Sequence, residues 1–454
     1  MTLSKLKERI ELAEARLVVI GLGYVGLPVA CLFANAGFPV VGLDVDAAKV
    51  EQVNRGRCPI EGDEPGLAEL IHRVVAGAKL RATTDYAASG QADIVLIAVQ
   101  TPVDPATRKP RYRALRGVLT ELGPHLSLDT LVIIESTIAP GTMDGFVQPA
   151  LEQQSGLTAR RQAVNLQPAT RNLQRSFYLV HCPERVMPGR LLHNLQHVHR
   201  VVGGSTPEAA DLAVAFYQHV VQADLDRVDC LTAELVKTME NTYRDVQIAF
   251  ANEMALLCED LGGDVWQVRE LVNKSPGRHM LYPGAGVGGH CIPKDPWLLI
   301  ANAGNAFKPR LIPTARAVND GMPHHMVDLT VNALAEAGVE TTDARVAVLG
   351  YAYLENSDDT RNSPSAALVA ELSKLGAEVV IHDPYVPEYR ARLEERVQGS
   401  DALVVMVAHD AYRELPLEGL RAAVRRPILI DGRNVFSNTR AREAGWTLYG
   451  LGRP

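Results

Sequence analysis

The chain has 454 residues, of which 46 are Lys or Arg and 53 are Asp or Glu, so its formal net charge at pH 7 is −7. This acidic balance argues against a protein that coats nucleic acid, because such proteins need a basic surface. Hydrophobic residues make up 47% of the chain and charged residues 22%, which excludes disorder as the dominant state. The length predicts two or three domains at about 150 residues each.

The cysteines and the N-terminal segment indicate the compartment. The six cysteines are scattered and include no C-x-x-C pair, so neither a zinc ribbon nor a disulfide framework is expected, and a cytoplasmic protein is predicted. Residues 1–16 are charged and helix-like, unlike a signal peptide. Residues 17–43 carry no charge and are numerous enough to cross a membrane, but their glycines and prolines favour strand, turn, helix and strand instead.

The N-terminal region predicts alternating strands and helices. A β-branched strand, a glycine-rich turn, an apolar helix and a second strand that ends at Asp44 form one βαβ unit. Further strands are expected at 94–99 and 131–134, with helix-length segments between them, and this alternation indicates a parallel sheet. We expect this first domain to span residues 1–204. Residues 153–175 are polar and arginine-rich, and we interpret them as an exposed loop with no assigned function.

The middle of the chain predicts helices, and the last third returns to strands. From residue 205 to 319 the β-rich runs disappear, and residues 231–261 carry one long helical pattern without Pro or Gly. The βαβ rhythm restarts near residue 345, with strands expected at 345–349, 378–381, 403–407 and 428–430. The turn after the first of them has one glycine, Gly350, so no dinucleotide pyrophosphate is expected there.

These elements predict the fold class. We expect an α/β protein with two Rossmann-like parallel-sheet domains, joined by a central helical domain that contains a long connecting helix. The expected domains span residues 1–204, 205–325 and 326–454.

The motif G-L-G-Y-V-G predicts a dinucleotide site in the first domain. Gly21 permits a tight turn, Gly23 lets the backbone approach a pyrophosphate, and Gly26 permits close packing of helix on strand. The N-terminus of the following helix offers N–H groups to the anion. Asp44 would accept hydrogen bonds from ribose hydroxyls, and because no Arg follows it to pair with a 2′-phosphate, NAD is favoured over NADP. The alternative is a tight turn that binds nothing.

The segment PGAGVGGHCIPKDPW, residues 283–297, contains a candidate nucleophile. Its glycine-rich backbone lets a large ligand lie close to Cys291. His290 and Lys294 flank this cysteine and could lower the pKa of its thiol, and Asp295 follows four residues later. The alternative is that Cys291 is a small buried hydrophobic residue, as free cysteines usually are.

The long helix carries a second candidate site. Lys237 and Asn241 are four residues apart and share one face, with Glu234 and Arg244 one turn to either side. Lysines and asparagines at this spacing are usually solvated. The rest of the segment is too apolar for a fully exposed helix, so a polar face that lines a cleft is the competing hypothesis.

Eight motifs together resemble the UDP-glucose/GDP-mannose dehydrogenase family over nearly the entire chain. In chain order they are GLGYVGLP, VQTP, ESTIAPGT, CPERVMPG, AELVKTMENTYR, PGAGVGGHCIPKDP, ARAVND and DDTRNSPS. The resemblance implies oxidation of the C6 alcohol of a nucleotide sugar to a carboxylate by two NAD and one water, with no metal. It also implies a homodimer formed through the central helices, with no nucleic-acid or membrane partner.

The resemblance implies roles for the matching residues in the chemistry. Cys291 matches the nucleophile that captures the C6 aldehyde as a thiohemiacetal, which a second oxidation converts to a thioester. Lys237 matches the residue that stabilises alkoxide and oxyanion states, Asn241 its hydrogen-bonding partner, and Asp295 the acid that assists proton transfer. The positions that match water and proton handling are Glu184 and Thr137.

The resemblance also implies contacts with the two ligands. The positions that match cofactor contacts are Gly21, Gly23, Tyr24, Val25, Gly26, Asp44, Thr101, Thr137 and Arg361. The positions that match substrate contacts are Arg185, Val186, Lys237, Asn241, Arg244, Gly288 and Arg433. The last of these, in the string DGRN, matches an arginine that a neighbouring subunit offers near the substrate.

Sugar specificity depends on a few residues. The string GGHCIPKDPW resembles the N-acetylhexosamine branch, and Val287 with Trp297 favours UDP-N-acetyl-D-mannosamine over UDP-N-acetylglucosamine. Several positions depart from the family pattern: Leu354 stands where relatives commonly have a Lys, and Asn362 where many have Glu. In NKSPGRHML, Arg278 lies one place later than in the mannosamine-type pattern, and Ser275 replaces a His. We expect an enzyme that supplies a uronic acid for surface polysaccharide.

Two alternatives stay open at this stage. The substrate could instead be UDP-N-acetylglucosamine or UDP-glucose. The protein could also be a catalytically silent regulator that binds NAD and a nucleotide sugar, but the joint presence of Cys291, Lys237, Asn241 and Asp295 argues against this, since a silent protein has no chemical need for all four.

Overall fold

The structure is a computed structural model that describes residues 3–60, 62, 64–160, 175–186, 189–304 and 306–453. The chain divides into two compact units. The first comprises Met1–Glu240 and Trp297–Gly304, and the second comprises Asn241–Pro296 and Asn305–Pro454. Each unit contains its own β-sheet, as the two predicted Rossmann-like domains require.

The first unit is built around a sheet whose strands are β1 (Leu17–Ile20), β2 (Val40–Leu43), β3 (Leu80–Thr83), β4 (Ile94–Ile97), β5 (Leu131–Ile134), β6 (Thr158–Ala159), β7 (Ser176–His181), β8 (Arg200–Gly204) and β9 (Leu225–Asp229). They pair in the order β3-β2-β1-β4-β5-β7-β8-β9, and β6 pairs with β7. Among these pairings, that of β7 with β8 is antiparallel and the others are parallel.

Helices cover the sheet of the first unit. They are α1 (Leu3–Glu11), α2 (Gly26–Asn35), α3 (Ala47–Asn54), α4 (Leu67–Ala76), α5 (Arg113–Leu122), α6 (Gln148–Ser155), α7 (Leu191–His197) and α8 (Pro207–Tyr217). Along β1, Leu17 and Val19 belong to one buried apolar core, and Val18 and Ile20 belong to another. Both faces of the sheet are therefore buried, which explains why its central strands are uninterrupted apolar runs.

The structure confirms the predicted start of the chain. The uncharged stretch of residues 17–43 forms β1, α2 and β2, and the strands expected near residues 94 and 131 are β4 and β5. Among the described residues, no helix combines the length and the apolar character that spanning a membrane demands.

Two expectations about the first half of the chain were wrong. Strand β9 lies within the region that was expected to lack strands. It was not predicted because its LDRVD sequence is mostly exposed and shows no apolar run. The segment 153–175 was expected to be a loop, but its first residues end α6 and form β6. Residues 161–174 of that segment lie outside the described residues.

The long helix α9 (Cys230–Leu261) runs from the first unit into the second and confirms the helix predicted at 231–261. Its start is capped by Asp229, whose carboxylate accepts hydrogen bonds from the N–H and hydroxyl of Thr232. Its end is followed by Gly262 at φ +74°, the left-handed conformation that commonly stops a helix.

The second unit contains a five-stranded parallel sheet. Its strands are β10 (Arg345–Leu349), β11 (Glu378–His382), β12 (Ala402–Val405), β13 (Ile428–Asp431) and β14 (Thr447–Gly450). They pair in the order β11-β10-β12-β13-β14. The chain reverses direction across the sheet between β10 and β12, and ligands of open α/β sheets bind at the carboxyl ends of strands at such points.

The remaining helices are α10 (Val265–Asn273), α11 (Asp295–Ile300), α12 (Leu311–Glu336), α13 (Pro364–Lys374), α14 (Leu393–Val397), α15 (Asp410–Arg413), α16 (Leu417–Arg421) and α17 (Asn438–Glu443). The predicted α/β class, with two parallel-sheet regions and a helical middle, is confirmed. The expected domain limits at residues 204 and 325 stay predictions.

Candidate active site

The glycine turn after β1 has the geometry that the motif predicts. Gly21 has φ +95°, and a Cβ atom there would lie 2.4 Å from the Ala98 carbonyl oxygen. A Cβ atom on Gly26 would lie 1.9 Å from the Gly21 carbonyl oxygen, whereas one on Gly23 would meet no described atom within 4 Å. The described residues therefore leave room for a pyrophosphate at Gly23, in front of the N-terminus of α2.

Asp44 is held in place at the end of β2. Its side chain is 8% exposed and accepts hydrogen bonds from the Leu22 N–H over 2.8 Å and the Asp46 N–H over 3.0 Å. Lys49 of α3 donates to it from its Nζ over 3.3 Å. Because a carboxylate offers about four acceptor positions, Asp44 can still accept from a ribose hydroxyl. The geometry fits NAD at this turn.

The loops after β4 and β5 are tied to each other. The Thr101 hydroxyl donates to the Thr137 carbonyl over 2.5 Å. The Ser136 hydroxyl accepts from the Val99 N–H over 2.8 Å and donates to the Val99 carbonyl over 2.7 Å. These bonds fix Thr101 and Thr137, two predicted site residues, at the same edge of the sheet as the glycine turn.

Helix α9 contacts the loop after β5 through Glu234. Its two carboxylate oxygens accept from the N–H groups of Gly141 and Met143, each over 2.7 Å. Burial raises the pKa of Glu234 to about 7. One turn further along α9, the Lys237 side chain is 6% exposed, and no hydrogen-bond or ion-pair partner for it is found in the described part of the chain. A lysine in a buried position is not a solvated surface residue, so this position favours the hypothesis of a polar face that lines a cleft.

His181 is a neighbour of Lys237 that the sequence did not single out. Its Nδ1 donates to the Ile134 carbonyl over 2.9 Å, while its buried Nε2 has no hydrogen-bond partner among the described residues. Burial, with a smaller contribution from the charge of Lys237, lowers the pKa of His181 to about 4. His181 is therefore neutral near pH 7 and adds no second positive charge beside Lys237.

The residues after β7 make contacts within the first unit. Arg185 donates from Nε to Glu240 over 2.8 Å and from Nη1 to the His199 carbonyl over 2.7 Å. The Glu184 carboxylate accepts from the Val186 N–H, and Val186 packs against the apolar core. The loop that contains these three predicted residues is thus fastened to the residue before β8 and to α9.

In the second unit, Asp295 lies between two donors. Its side chain is fully buried. Asn241 Nδ2 donates to one carboxylate oxygen over 2.5 Å, and Lys294 Nζ donates to the other over 2.6 Å. The structure therefore brings together Asn241 and Asp295, which are 54 residues apart in the sequence.

Cys291 lies at the turn that leads into α11. Its carbonyl accepts from the N–H groups of Lys294 and Asp295, over 3.1 and 2.9 Å, and its side chain is half-buried. Burial lowers the pKa of His290, with smaller contributions from Lys294 and Arg361. His290 is therefore neutral near pH 7, and the expectation that it lowers the thiol pKa as a cation is not supported.

The surroundings of the other five cysteines disfavour the thiolate form that a nucleophile needs. Burial raises the pKa of each of their thiols, in the case of Cys182 to about 11. The other four are Cys31, Cys58, Cys230 and Cys258.

The start of the glycine-rich segment is anchored to α9. Asn252 accepts from the Gly284 N–H over 2.9 Å and donates to Asn319 over 2.8 Å. Arg433 packs on the same segment of its own chain, donating to the Gly286 carbonyl over 3.3 Å and to the Met406 carbonyl over 2.9 Å.

Five predicted residues remain, and their surroundings differ. Arg361 pairs with Asp359, and Arg244 is exposed on α9. Tyr24 and Val25 lie in the glycine turn and pack against the first core. Gly288 is enclosed, because a Cβ atom there would lie 2.4 Å from that of Tyr353.

The fold and these two groups of residues define the class of protein, a dehydrogenase that binds a dinucleotide at the first sheet. Three family models match the chain: the NAD binding domain, the central domain and the UDP binding domain of the UDP-glucose/GDP-mannose dehydrogenase family, over residues 15–221, 231–321 and 347–438. The chain belongs to this family. It is an NAD-dependent nucleotide-sugar dehydrogenase.

Named relatives are similar over nearly their full lengths. A UDP-N-acetyl-D-mannosamine dehydrogenase of Pyrococcus horikoshii is 38% identical over 438 residues, which cover 96% of this chain and 99% of the relative. The structure of the enzyme of that name from the same organism superposes with a TM-score of 0.87 at 37% identity, covering 96% of this chain and 99% of that one. An NDP-N-acetyl-D-galactosaminuronic acid dehydrogenase of Methanosarcina mazei superposes with a TM-score of 0.84 at 38% identity, covering 99% and 98%.

The position of Asp44 leads to a prediction about the cofactor. We expect kcat/KM to be higher with NAD than with NADP by about tenfold or more, the equivalent of about 1.4 kcal/mol, because the carboxylate repels a 2′-phosphate. Asp44→Asn should narrow this preference. Asp46→Asn removes a neighbouring charge that accepts hydrogen bonds from α3 instead and should leave the preference unchanged. Equal kcat/KM with both cofactors in the unaltered enzyme would contradict the placement of Asp44 at the ribose.

Proposed function

We propose that the protein oxidises the C6 hydroxymethyl group of UDP-N-acetyl-D-mannosamine to a carboxylate, with Cys291 as the nucleophile. The observation that carries the proposal is the buried Asp295 between Asn241 and Lys294, at the turn that begins at Cys291. The sugar is supported by the name of the Pyrococcus horikoshii relatives. The product would be a uronic acid for surface polysaccharide.

The proposed reaction removes four electrons from C6 in two oxidations. When bound, NAD accepts a hydride in each of them. The first oxidation leaves an aldehyde, and the Cys291 thiolate adds to its carbon to form a C–S bond, while the carbonyl oxygen takes a proton. The second oxidation removes a hydride from this carbon and the proton from its hydroxyl, leaving a thioester. Water then adds, the C–S bond breaks, and the thiolate and a carboxylate are released.

The side chains around the reacting carbon have separate proposed tasks. Lys237 stabilises the negative charge that develops on the C6 oxygen, a role that suits a lysine in a buried position on α9. Asn241 orients the Asp295 carboxylate, and Asp295 accepts a proton from the attacking water. We assign further proton handling to Thr137 and Glu184.

We also propose the ligand contacts implied by the family resemblance. For the cofactor they are Gly21, Gly23, Tyr24, Val25, Gly26, Asp44, Thr101, Thr137 and Arg361. For the UDP-sugar they are Arg185, Val186, Lys237, Asn241, Arg244, Gly288 and Arg433.

A homodimer is proposed from an apolar stripe on α9. Tyr243, Phe250, Leu257 and Leu261 are each at least 45% exposed, and their spacing of seven, seven and four residues places them on one face of the helix. Exposed apolar stripes of this kind are typical of helices that pack against another chain. We propose that α9 packs against α9 of a second copy. The cytoplasm is the proposed location, because it keeps a catalytic thiol reduced.

The test of the proposed function is a panel of UDP-sugars with NAD. We expect UDP-N-acetyl-D-mannosamine to give the highest kcat/KM, with NADH measured by absorbance and the uronic acid by chromatography. The balance of electrons requires about two NADH for each uronic acid. A higher kcat/KM with UDP-N-acetylglucosamine, UDP-N-acetylgalactosamine or UDP-glucose would reassign the substrate. One NADH and a free aldehyde per sugar would contradict the four-electron reaction.

A further inference from the structure

The loop after β10, residues 350–363, fastens the nucleophile segment at one residue. Gly289 lies two positions before Cys291. Its N–H donates to the Arg361 carbonyl over 2.9 Å, and its carbonyl accepts from Asn362 Nδ2 over 3.0 Å. Both backbone polar groups of Gly289 are therefore bound by consecutive residues of this loop, which fixes the position and the rotation of the chain just ahead of the thiol.

Tyr353 of the same loop packs against Gly288 and Gly289. A Cβ atom on Gly289 would lie 2.7 Å from the ring atom Cε2 of Tyr353, so the ring rests directly on the backbone there. The Tyr353 N–H donates to the Asp359 carbonyl over 3.0 Å, which holds the tyrosine in the loop. Burial raises the pKa of Tyr353 to about 12, and the charges of Asp359 and Cys291 contribute in the same direction. The tyrosine hydroxyl is thus a neutral neighbour of the thiol.

The backbone at residue 362 explains why an asparagine stands there. Its φ is +50°, a left-handed conformation that Asn adopts more readily than most residues. Its side-chain amide also supplies the donor that the Gly289 carbonyl needs. An ionised carboxylate at this place would offer only acceptors to that carbonyl. Asn362, which departs from the family pattern, therefore makes a specific contact with Gly289, 73 positions away in the chain.

We propose that Asn362 is a positioning residue for the nucleophile, which holds Gly289 so that Cys291 captures the aldehyde before it leaves the site. This inference rests on the proposed role of Cys291. Removal of the alcohol hydride needs no thiol, whereas formation of the C–S bond requires the sulfur to be correctly placed. Loss of the contact between Asn362 and Gly289 should therefore impair capture of the aldehyde more than the first oxidation. The first oxidation continues, and part of the aldehyde leaves the site.

The test is the Asn362→Gly variant, since Gly accepts φ +50° without strain and removes only the side chain. The matched control is Asn356→Gly. Asn356 lies in the same loop at φ +55°, but its amide donates to Asp410 over 2.8 Å. NADH, uronic acid and aldehyde trapped with hydroxylamine would be measured for both variants and for the unaltered enzyme.

We expect Asn362→Gly to release trapped aldehyde and to raise the ratio of NADH to uronic acid from about two to about three or more. Because a ratio of about three means that about half of the aldehyde escapes, its kcat for uronic acid should fall about twofold or more, with little change in the KM of the UDP-sugar. The control should keep a ratio of about two. A ratio of about two in Asn362→Gly, at normal or reduced rate, would overturn the proposal, since a merely structural role slows both oxidations together.

A second variant covers the case in which Asn362→Gly does not fold. Asn362→Asp keeps the shape and tolerates the same φ, but it replaces the donor with an acceptor, so the same rise in the ratio is expected. The proposed function fails through a different result, the formation of uronic acid by Cys291→Ser. The two failures are therefore distinguishable.

Discussion

Replacement of Cys291 by serine should abolish the formation of uronic acid, with a loss of about a thousandfold or more, or about 4 kcal/mol. The physical reason is that a serine hydroxyl is a far weaker nucleophile than a thiolate. A slow first oxidation should persist, yielding NADH and an aldehyde that hydroxylamine traps. Uronic acid in turnover assays with NAD and the UDP-sugar is the quantity to measure.

Cys258→Ser is the control for this experiment. Cys258 is also half-buried and belongs to the second unit, but burial raises its pKa, and it has no proposed role. We expect this variant to keep normal activity. Uronic acid at a near-normal rate from Cys291→Ser would show that Cys291 is a structural thiol, which is the alternative that the sequence left open.

Lys237→Met should lower kcat about a hundredfold or more, with little change in the KM of the sugar or in the affinity for NAD. An ammonium aimed at an oxyanion acts most strongly in the transition state, and the neutral His181 beside it neither replaces its charge nor adds to it. Methionine keeps most of the volume. Lys237 makes no ion pair in the described part of the chain, and methionine fills the same buried position, so the thermal unfolding midpoint should change little.

The control for Lys237 is Lys374→Ala, which removes an exposed lysine from α13. It should change neither kcat nor the unfolding midpoint. The proposed role of Lys237 would be wrong if Lys237→Met kept a near-normal kcat. A large drop in the unfolding midpoint together with low activity would instead show that the ammonium stabilises the fold.

The parts of the site that the sequence predicted are those determined by local chain geometry. Gly21 needs glycine for its φ of +95°, and Gly26 needs glycine because a Cβ there would meet the Gly21 carbonyl in the same turn, so their spacing alone identifies the turn. Helix α9 was predictable for the same reason, since its cap at Asp229 and its stop at Gly262 lie at its own ends.

The parts that the sequence missed depend on contacts between distant segments. His181 binds the Ile134 carbonyl across 47 positions, and Asn362 binds Gly289 across 73. Asn362 stood out in the sequence as a departure from the family pattern, but no local pattern marks its contact or that of His181, because each partner lies far away in the chain. Strand β9 was missed for a related reason: an exposed strand at the edge of a sheet needs no apolar run.

The raised pKa values of the other five thiols also affect how fast these side chains react with the proposed aldehyde intermediate. A sugar aldehyde is an electrophile, and it adds to thiolates far faster than to thiols. Cys31, Cys58, Cys182, Cys230 and Cys258 remain protonated at neutral pH because burial raises their pKa values above 9. In the proposed reaction, an aldehyde that escapes capture should therefore add to these five side chains more slowly than it would to a thiolate.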